Sequence, residues 1–166
     1  MSLDLAGTSV FLDFDGTITT RDTGVYLLER AASPGWRELD EAYDRGDIGS
    51  LECMVKQWAC LPIDDEALLR SISAEVPLDP GIHELMALLR EGRAEVTILS
   101  DGFGFYASQI ARELGVECLT NTVDWSSGDM RFPNRRPDCA CGVCGTCKRA
   151  PIEAAKARGR TVVFVG

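Results

Sequence analysis

The 166-residue sequence holds a single histidine, His83. No Ser-His-Asp or Cys-His set can be assembled around it, which removes the usual serine- and cysteine-hydrolase mechanisms. His83 itself falls near the start of a predicted helix and is expected on the surface. Basic residues are also few: Lys and Arg number 17 against 26 Asp and Glu, a formal net charge of −9. A field of that sign repels nucleic acid and anionic membranes, so neither is expected as a partner. No apolar segment approaches membrane-spanning length. The N-terminus lacks a basic region followed by an apolar core, and Met1-Ser2-Leu3 is assigned nothing. There is no internal repeat and no low-complexity tract. A cytoplasmic protein is expected. Hydrophobic residues make up 45% of the chain, ample for a core. The length suits one domain with a subdomain insertion.

What is there begins with Asp13-Phe14-Asp15-Gly16-Thr17, directly after the apolar run Val10-Phe11-Leu12. That run is short and β-prone, and it reads as a buried strand. Two carboxylates follow two positions apart, an interval that puts side chains on one side of an extended segment. Acids held this way can divide the work, one attacking and the other shuttling a proton. Gly16 permits a sharp turn whose backbone N–H groups suit a phosphate. In a chain this acidic, such a site needs a local cation.

Beyond the motif, strands and helices alternate, with one long helical interruption from about Asp22 to Val76. Apolar stripes at helical spacing appear at Leu51, Met54, Val55 and Trp58, at Trp36, Leu39 and Tyr43, and at Leu68, Leu69 and Ile72. They are most simply the core of a small helical bundle. Asp79-Pro80-Gly81 reads as a helix start with Asp79 as N-cap. Ile82, Leu85, Met86 and Leu89 form that helix's buried face, and Gly92 its C-terminal cap. Glu95 to Leu99 is the second strand, ending in Ser100-Asp101-Gly102. Glu117 to Thr122 is the third, running into a hairpin that turns at Ser127-Gly128-Asp129. A helix over about Pro151 to Arg158 precedes the fourth strand, Thr161 to Val165, apolar enough to be buried on both faces. This alternation implies a mostly parallel α/β sheet with its ligand at the carboxyl ends of the strands.

Taken together, the motifs resemble the haloacid dehalogenase (HAD) superfamily phosphatases along nearly the whole chain. Asp13-Phe14-Asp15-Gly16-Thr17 matches the first motif. Ser100, closing Val96-Thr97-Ile98-Leu99, matches the second. Lys148 is the best match to the third, a lysine at the start of a helix, with Lys156 as its rival. The helical insertion resembles the cap of the phosphoserine phosphatase branch. Ser100-Asp101-Gly102-Phe103 followed by Cys147-Lys148 is similar to the methionine-salvage enol-phosphate phosphatases and the phosphoethanolamine/phosphocholine phosphatases.

The resemblance implies a Rossmann-like parallel sheet of order 3-2-1-4, with residues 1–18 and 78–166 as core and 19–77 as cap. It implies a Mg²⁺-dependent phosphatase acting on a small phosphorylated metabolite. Asp13 would be the nucleophile, forming an aspartyl-phosphate, and Asp15 the acid and then the base. Asp13 and the Asp15 carbonyl would hold Mg²⁺. Ser100 and Lys148 would bind the phosphoryl group, with Thr17, Asp101 and Gly102 beside them. Asp22 would read the substrate's polar head, or simply cap a helix. The rival readings are a non-catalytic binding or scaffold module and a sensor built on the cysteines.

Seven cysteines are present. Cys53, Cys60 and Cys118 are isolated and read as small buried hydrophobes. Cys139, Cys141, Cys144 and Cys147 are clustered, and Cys141-Gly142-Val143-Cys144-Gly145 has the shape of a zinc knuckle. Structural zinc, disulfides and free thiols all stay open for this loop.

In the resembled family an acidic pair follows the glycine that Gly166 would match, and it supplies a metal ligand. Gly166 is the last residue, so a shortened chain is expected rather than a natural pseudoenzyme. Gly166 is expected close to Asp13.

Overall fold

The computed structural model describes residues 4–138 and 143–166. Strand β1 (Thr8–Asp13) is followed by four helices, α1 (Thr23–Ala31), α2 (Trp36–Asp44), α3 (Ser50–Trp58) and α4 (Glu66–Ser73). Then come α5 (Ile82–Glu91), β2 (Glu95–Leu99), α6 (Phe105–Leu114) and β3 (Glu117–Leu119). The hairpin β4 (Thr122–Asp124) and β5 (Asp129–Arg131), helix α7 (Arg149–Ala157) and β6 (Thr161–Val165) complete the order. The main sheet is four-stranded, in the order β3-β2-β1-β6, and each of its pairings is parallel. With β6 as the fourth strand of the sequence reading, this is the expected α/β sheet.

Strand β1 is central because its side chains bury on both faces. Val10, Leu12 and Phe14 face one layer with Ile98, Met86, Leu89 and the apolar side of α6. Phe11 faces the other, with Leu99 and Ala155 of α7. Alternation along the strand therefore puts Asp13 on the α7 side, at the strand's carboxyl end. Register pairs Asp13 with Leu99 and Leu12 with Val165. An ideal Cβ on Gly166 would lie 2.7 Å from the Asp13 Cβ, so these residues are neighbours as expected.

The neck of the helical insertion is closed by an antiparallel bridge between Thr19 and Leu78 and by the Thr20 N–H donating to the Pro77 carbonyl at 3.0 Å. The insertion does not keep a core of its own, contrary to the bundle expectation. Its buried residues Trp36, Met54, Trp58, Leu69 and Ile72 belong to one cluster continuous with β1 and α6. Trp58 of α3 packs on Phe103 at 5.4 Å and on Trp125 of the hairpin region at 5.8 Å between centroids. Its indole N–H donates to the Gly128 carbonyl at 2.8 Å. Each such aromatic pair adds about 0.5–1.5 kcal/mol beyond area burial. Val55 and Leu68, read as stripe members, are exposed, and Tyr43, read likewise, is exposed at the cleft described below.

Other expectations change in detail. Asp79 does not cap α5. Its Oδ1 accepts from the Gly81 N–H at 2.8 Å within a preceding turn, and Gly81 is the N-cap. Leu85 lies on the exposed side of that helix. Gly92 is the C-cap in a right-handed conformation, and Arg93 takes the left-handed position at φ 63°. The third strand stops at Leu119, because the buried Thr120 and Asn121 leave the ladder before Thr122 opens the hairpin. Strand β6 is not buried on both faces: Val163, Phe164 and Val165 are 42%, 42% and 40% exposed. It pairs only with β1, and among the described residues nothing pairs with its outer edge. His83 is exposed, as expected.

Candidate active site

Asp13 ends β1, and the Phe14 N–H donates to its Oδ1 at 2.8 Å. The Lys148 ammonium lies 2.7 Å from the same oxygen. Lys148 is the N-cap residue of α7, the helix covering Asp13's side of the sheet, which is why a lysine at that point reaches the strand ends. Lys156 falls in the last turn of α7. Asp15 follows the buried Phe14, and its Oδ1 accepts from the Thr23 N–H at the start of α1 at 2.8 Å.

The intervening turn engages its own amides. The Gly16 N–H donates to Thr19 Oγ1 at 3.3 Å, and the Thr17 N–H donates to the Phe14 carbonyl at 3.2 Å. Thr17 does not reach the cleft wall described below.

From the end of β2, Ser100 is fully buried and its Oγ accepts from the Gly102 N–H at 3.2 Å. An ideal Cβ on Gly102 would meet Tyr106 Oη at 2.5 Å, Asp15 Oδ2 at 3.0 Å and Ser100 Oγ at 3.3 Å. Absence of a side chain at 102 is therefore what lets the first and second motifs close on each other. Asp101 points into the joint between layers. Its Oδ2 accepts from Ser50 Oγ at 2.8 Å, and its Oδ1 from the Thr146 N–H at 2.6 Å and from Asn121 Nδ2 at 3.2 Å.

A cleft of about 290 Å³ lies between the sheet end and the inserted helices, and the fully buried Ser100 sits behind its wall rather than in it. Asp13, Asp15, Asp101, Gly102, Tyr106 and Lys148 form its floor, and Asp22, Asp40, Tyr43 and Gln57 stand on the helical side. Asp22 is both N-cap of α1, accepting from the Val25 N–H at 2.7 Å, and a cleft residue. Asp40, Tyr43, Gln57, Tyr106 and Asn121 escaped the sequence reading. Asn121 is fully buried and donates to the Gly102 carbonyl at 2.8 Å.

The electrostatics follow from the crowding of acids. Burial pushes the Asp15 carboxyl up to about 7, helped by the charges of Asp22 and Asp13 and opposed by the Thr23 hydrogen bonds. Burial likewise raises Asp22, with Asp40 and Asp13 adding repulsion against the Val25 and Gly24 amides. Tyr106 is held well above the usual phenol range by burial and by Asp15 and Asp22. Burial and neighbouring acids raise the Cys53 thiol to about 11, so this cleft cysteine stays a thiol and is no nucleophile at neutral pH.

Of the clustered cysteines, Cys139 and Cys141 lie outside the described residues. Cys144 is half-buried and Cys147 buried, and Val143 between them and the cap accepts the Leu51 N–H at 3.0 Å. Among the described residues no helix is long and apolar enough to cross a membrane.

Comparison with known proteins places this arrangement. A sequence from Brevibacillus brevis, named 2-hydroxy-3-keto-5-methylthiopentenyl-1-phosphate phosphatase, is 30% identical over 149 residues, 86% of this chain and 67% of that protein. One of the same name from Bacillus mycoides is 22% identical, covering 95% of this chain and 74% of the relative. Among solved structures, a phosphoserine phosphatase with a phospho-aspartyl intermediate analogue superposes with a TM-score of 0.70 at 18% identity, over 95% of this chain and 76% of that one. A HAD-family hydrolase from Salmonella enterica serovar Typhi superposes with a TM-score of 0.76 at 15% identity, over 99% of this chain and 57% of that one. The family model of the haloacid dehalogenase-like hydrolases matches residues 10–166, and the chain belongs to that family of enzymes.

Proposed function

We propose that the chain hydrolyses a small phosphomonoester by double displacement through Asp13. The observation that carries this reading is the Asp13 environment. One oxygen, Oδ1, is fixed by the Lys148 ammonium at 2.7 Å and the Phe14 amide at 2.8 Å, while Asp15 stands two residues on with a pKa near 7. In the first step an Asp13 oxygen attacks phosphorus and the ester P–O bond breaks. Asp15, protonated, delivers its proton to the departing oxygen. In the second, Asp15 takes a proton from water, whose oxygen attacks phosphorus and releases Asp13 and phosphate. Lys148 neutralises charge on the transferring group, and Ser100 donates its hydroxyl proton to a phosphoryl oxygen.

The donor set fits Mg²⁺. Asp13 and Asp15 supply hard oxygens in a cleft that also holds Asp22, a carboxylate-rich donor set of the kind a hard divalent cation takes. Asp13 and the Asp15 carbonyl would hold it, and when bound it offsets repulsion between the nucleophile and the phosphate dianion. The inserted helices roof the cleft and favour small metabolites over phosphoproteins. For the four clustered cysteines the reading is a structural zinc that steadies the segment leading to Lys148.

A phosphate-release assay over a panel of small phosphomonoesters, with and without Mg²⁺, tests this function. The expected result is Mg²⁺-dependent turnover of at least one ester, lost in Asp13→Asn. A wild type that turns over nothing, or no faster than Asp13→Asn, overturns it.

A further inference from the structure

The two residues that follow β3, Thr120 and Asn121, grip the two that precede Lys148. Asn121 Oδ1 accepts from the Thr146 hydroxyl at 3.1 Å. Asn134 Nδ2 donates to the Thr120 carbonyl at 3.0 Å, and the Asn134 carbonyl accepts the Cys147 N–H at 3.1 Å. On its other side Asn121 Nδ2 faces the second-motif loop, donating to the Gly102 carbonyl at 2.8 Å and to Asp101 Oδ1 at 3.2 Å. The same nitrogen lies 3.2 Å from Met54 Sδ of α3. Asn121 and Thr146 are both buried, so bulk water does not compete for these bonds. The fit is close: an ideal Cβ on Gly145 would lie 2.7 Å from Asp101 Oδ1 and 2.9 Å from Asn121 Oδ1. An asparagine side chain offers an acceptor oxygen and a donor nitrogen, and both are engaged here. Aspartate, of the same shape, would set an oxygen against the Gly102 carbonyl and the Asp101 carboxylate.

Lys148 needs such support. Its ammonium rides on a flexible four-carbon stem that is 33% exposed, and a partly exposed ion pair holds such a stem weakly. Its reach to Asp13 therefore depends on where residues 146 and 147 fix its backbone. A displacement of about 1 Å near a reacting centre can cost about 10²-fold in rate.

Resting on the phosphatase reading for the role of Lys148, we propose that Asn121 is a positioning residue for catalysis. Through Thr146 it fixes the backbone from which Lys148 reaches Asp13. Through the Gly102 carbonyl it holds the second-motif loop in register with that lysine.

Trace acetylation of the native protein, read by peptide mass spectrometry, compares Lys148 with Lys56 and Lys156 as internal standards. Asn121→Asp raises the Lys148 rate about fivefold or more, the factor that one lost hydrogen bond corresponds to. Lys156, in the last turn of the same helix, stays unchanged. Thr146→Val removes the hydroxyl alone and shifts Lys148 the same way, and it decides the matter if Asn121→Asp does not fold. With p-nitrophenyl phosphate, Asn121→Asp lowers kcat/KM by about 10²-fold, and in a Lys148→Ala background the same substitution costs nothing further. Unchanged Lys148 labelling in the folded variants overturns the proposal. So does an equal loss of activity in the two backgrounds, which a purely structural asparagine would give. If the wild type hydrolyses no ester, the phosphatase reading is at fault, and the labelling still decides whether Asn121 holds Lys148 in place.

Discussion

The Ser50 hydroxyl donates to Asp101 Oδ2 at 2.8 Å, a bond from the first residue of α3 to the end of β2. The other Asp101 oxygen holds the Thr146 amide and the Asn121 side chain. One carboxylate thus ties the roof, the sheet end and the segment leading to Lys148. Ser50→Ala removes one strand of this tie. Loss of a single such bond costs about 1 kcal/mol. The expected outcome is a several-fold rise in KM with kcat less affected, because the roof closes less firmly while Asp13 and Asp15 stay in place. Steady-state kinetics with a urea melt checks it.

Asp15 sets a pH dependence. Its folded pKa of about 7 lies above the ordinary carboxyl value of 3.8. Between those values the folded chain binds more protons than the unfolded one, so its contribution to stability is full at low pH and is lost as pH rises through about 7. Metal-free protein should melt at a lower urea concentration at pH 8 than at pH 5. Asp15→Asn should shrink that difference. The same substitution should lower kcat by about 10²–10⁴-fold, the range for a lost general acid. In the wild type, kcat/KM should fall as pH rises past the Asp15 pKa, since the acid form delivers the proton.

Gly102→Ala places a methyl 2.5 Å from Tyr106 Oη. Overpacking of this kind costs about 1–3 kcal/mol. Activity should drop at least tenfold, roughly the factor that 1.4 kcal/mol corresponds to, because Asp15 Oδ2 is also displaced. Removing the hydroxyl in the double variant Gly102→Ala/Tyr106→Phe should recover part of the stability. A double variant no more stable than Gly102→Ala alone would remove the steric explanation.

For the cysteine segment, freshly purified protein should carry about one zinc per chain by elemental analysis without added metal. Chelation should lower activity through Lys148 and leave the sheet's circular dichroism intact. Four rapidly alkylated thiols in untreated native protein would refute both zinc and disulfides there.

The sequence reveals the floor of the site better than its roof. Asp13 and Asp15 are legible because strand, acids and turn are contiguous, and contiguity fixes their relation without tertiary information. Lys148 is legible because a cation at the start of a helix beside a parallel strand has one end of the sheet to reach. Asp40, Tyr43 and Gln57 are not legible in this way. Their place depends on how α2 and α3 lie over the cleft, and helical periodicity assigned Tyr43 to a bundle core instead. Asn121 was hidden inside a strand read as continuous to Thr122. An ideal Cβ on Gly104, at φ +84°, would sit 1.8 Å from the Asn121 carbonyl, a close approach between distant segments that no local pattern signals.

The central claim is that Asp13 carries the phosphoryl group. Acid-quenched single-turnover mixtures with a hydrolysed ester and Mg²⁺ can be reduced with borohydride, which converts an aspartyl-phosphate to homoserine. Peptide mass spectrometry then locates the reduced residue. Homoserine is expected at position 13 in the presence of ester and none in its absence. Full turnover with Asp13 unlabelled, or undiminished turnover by Asp13→Asn, would contradict it.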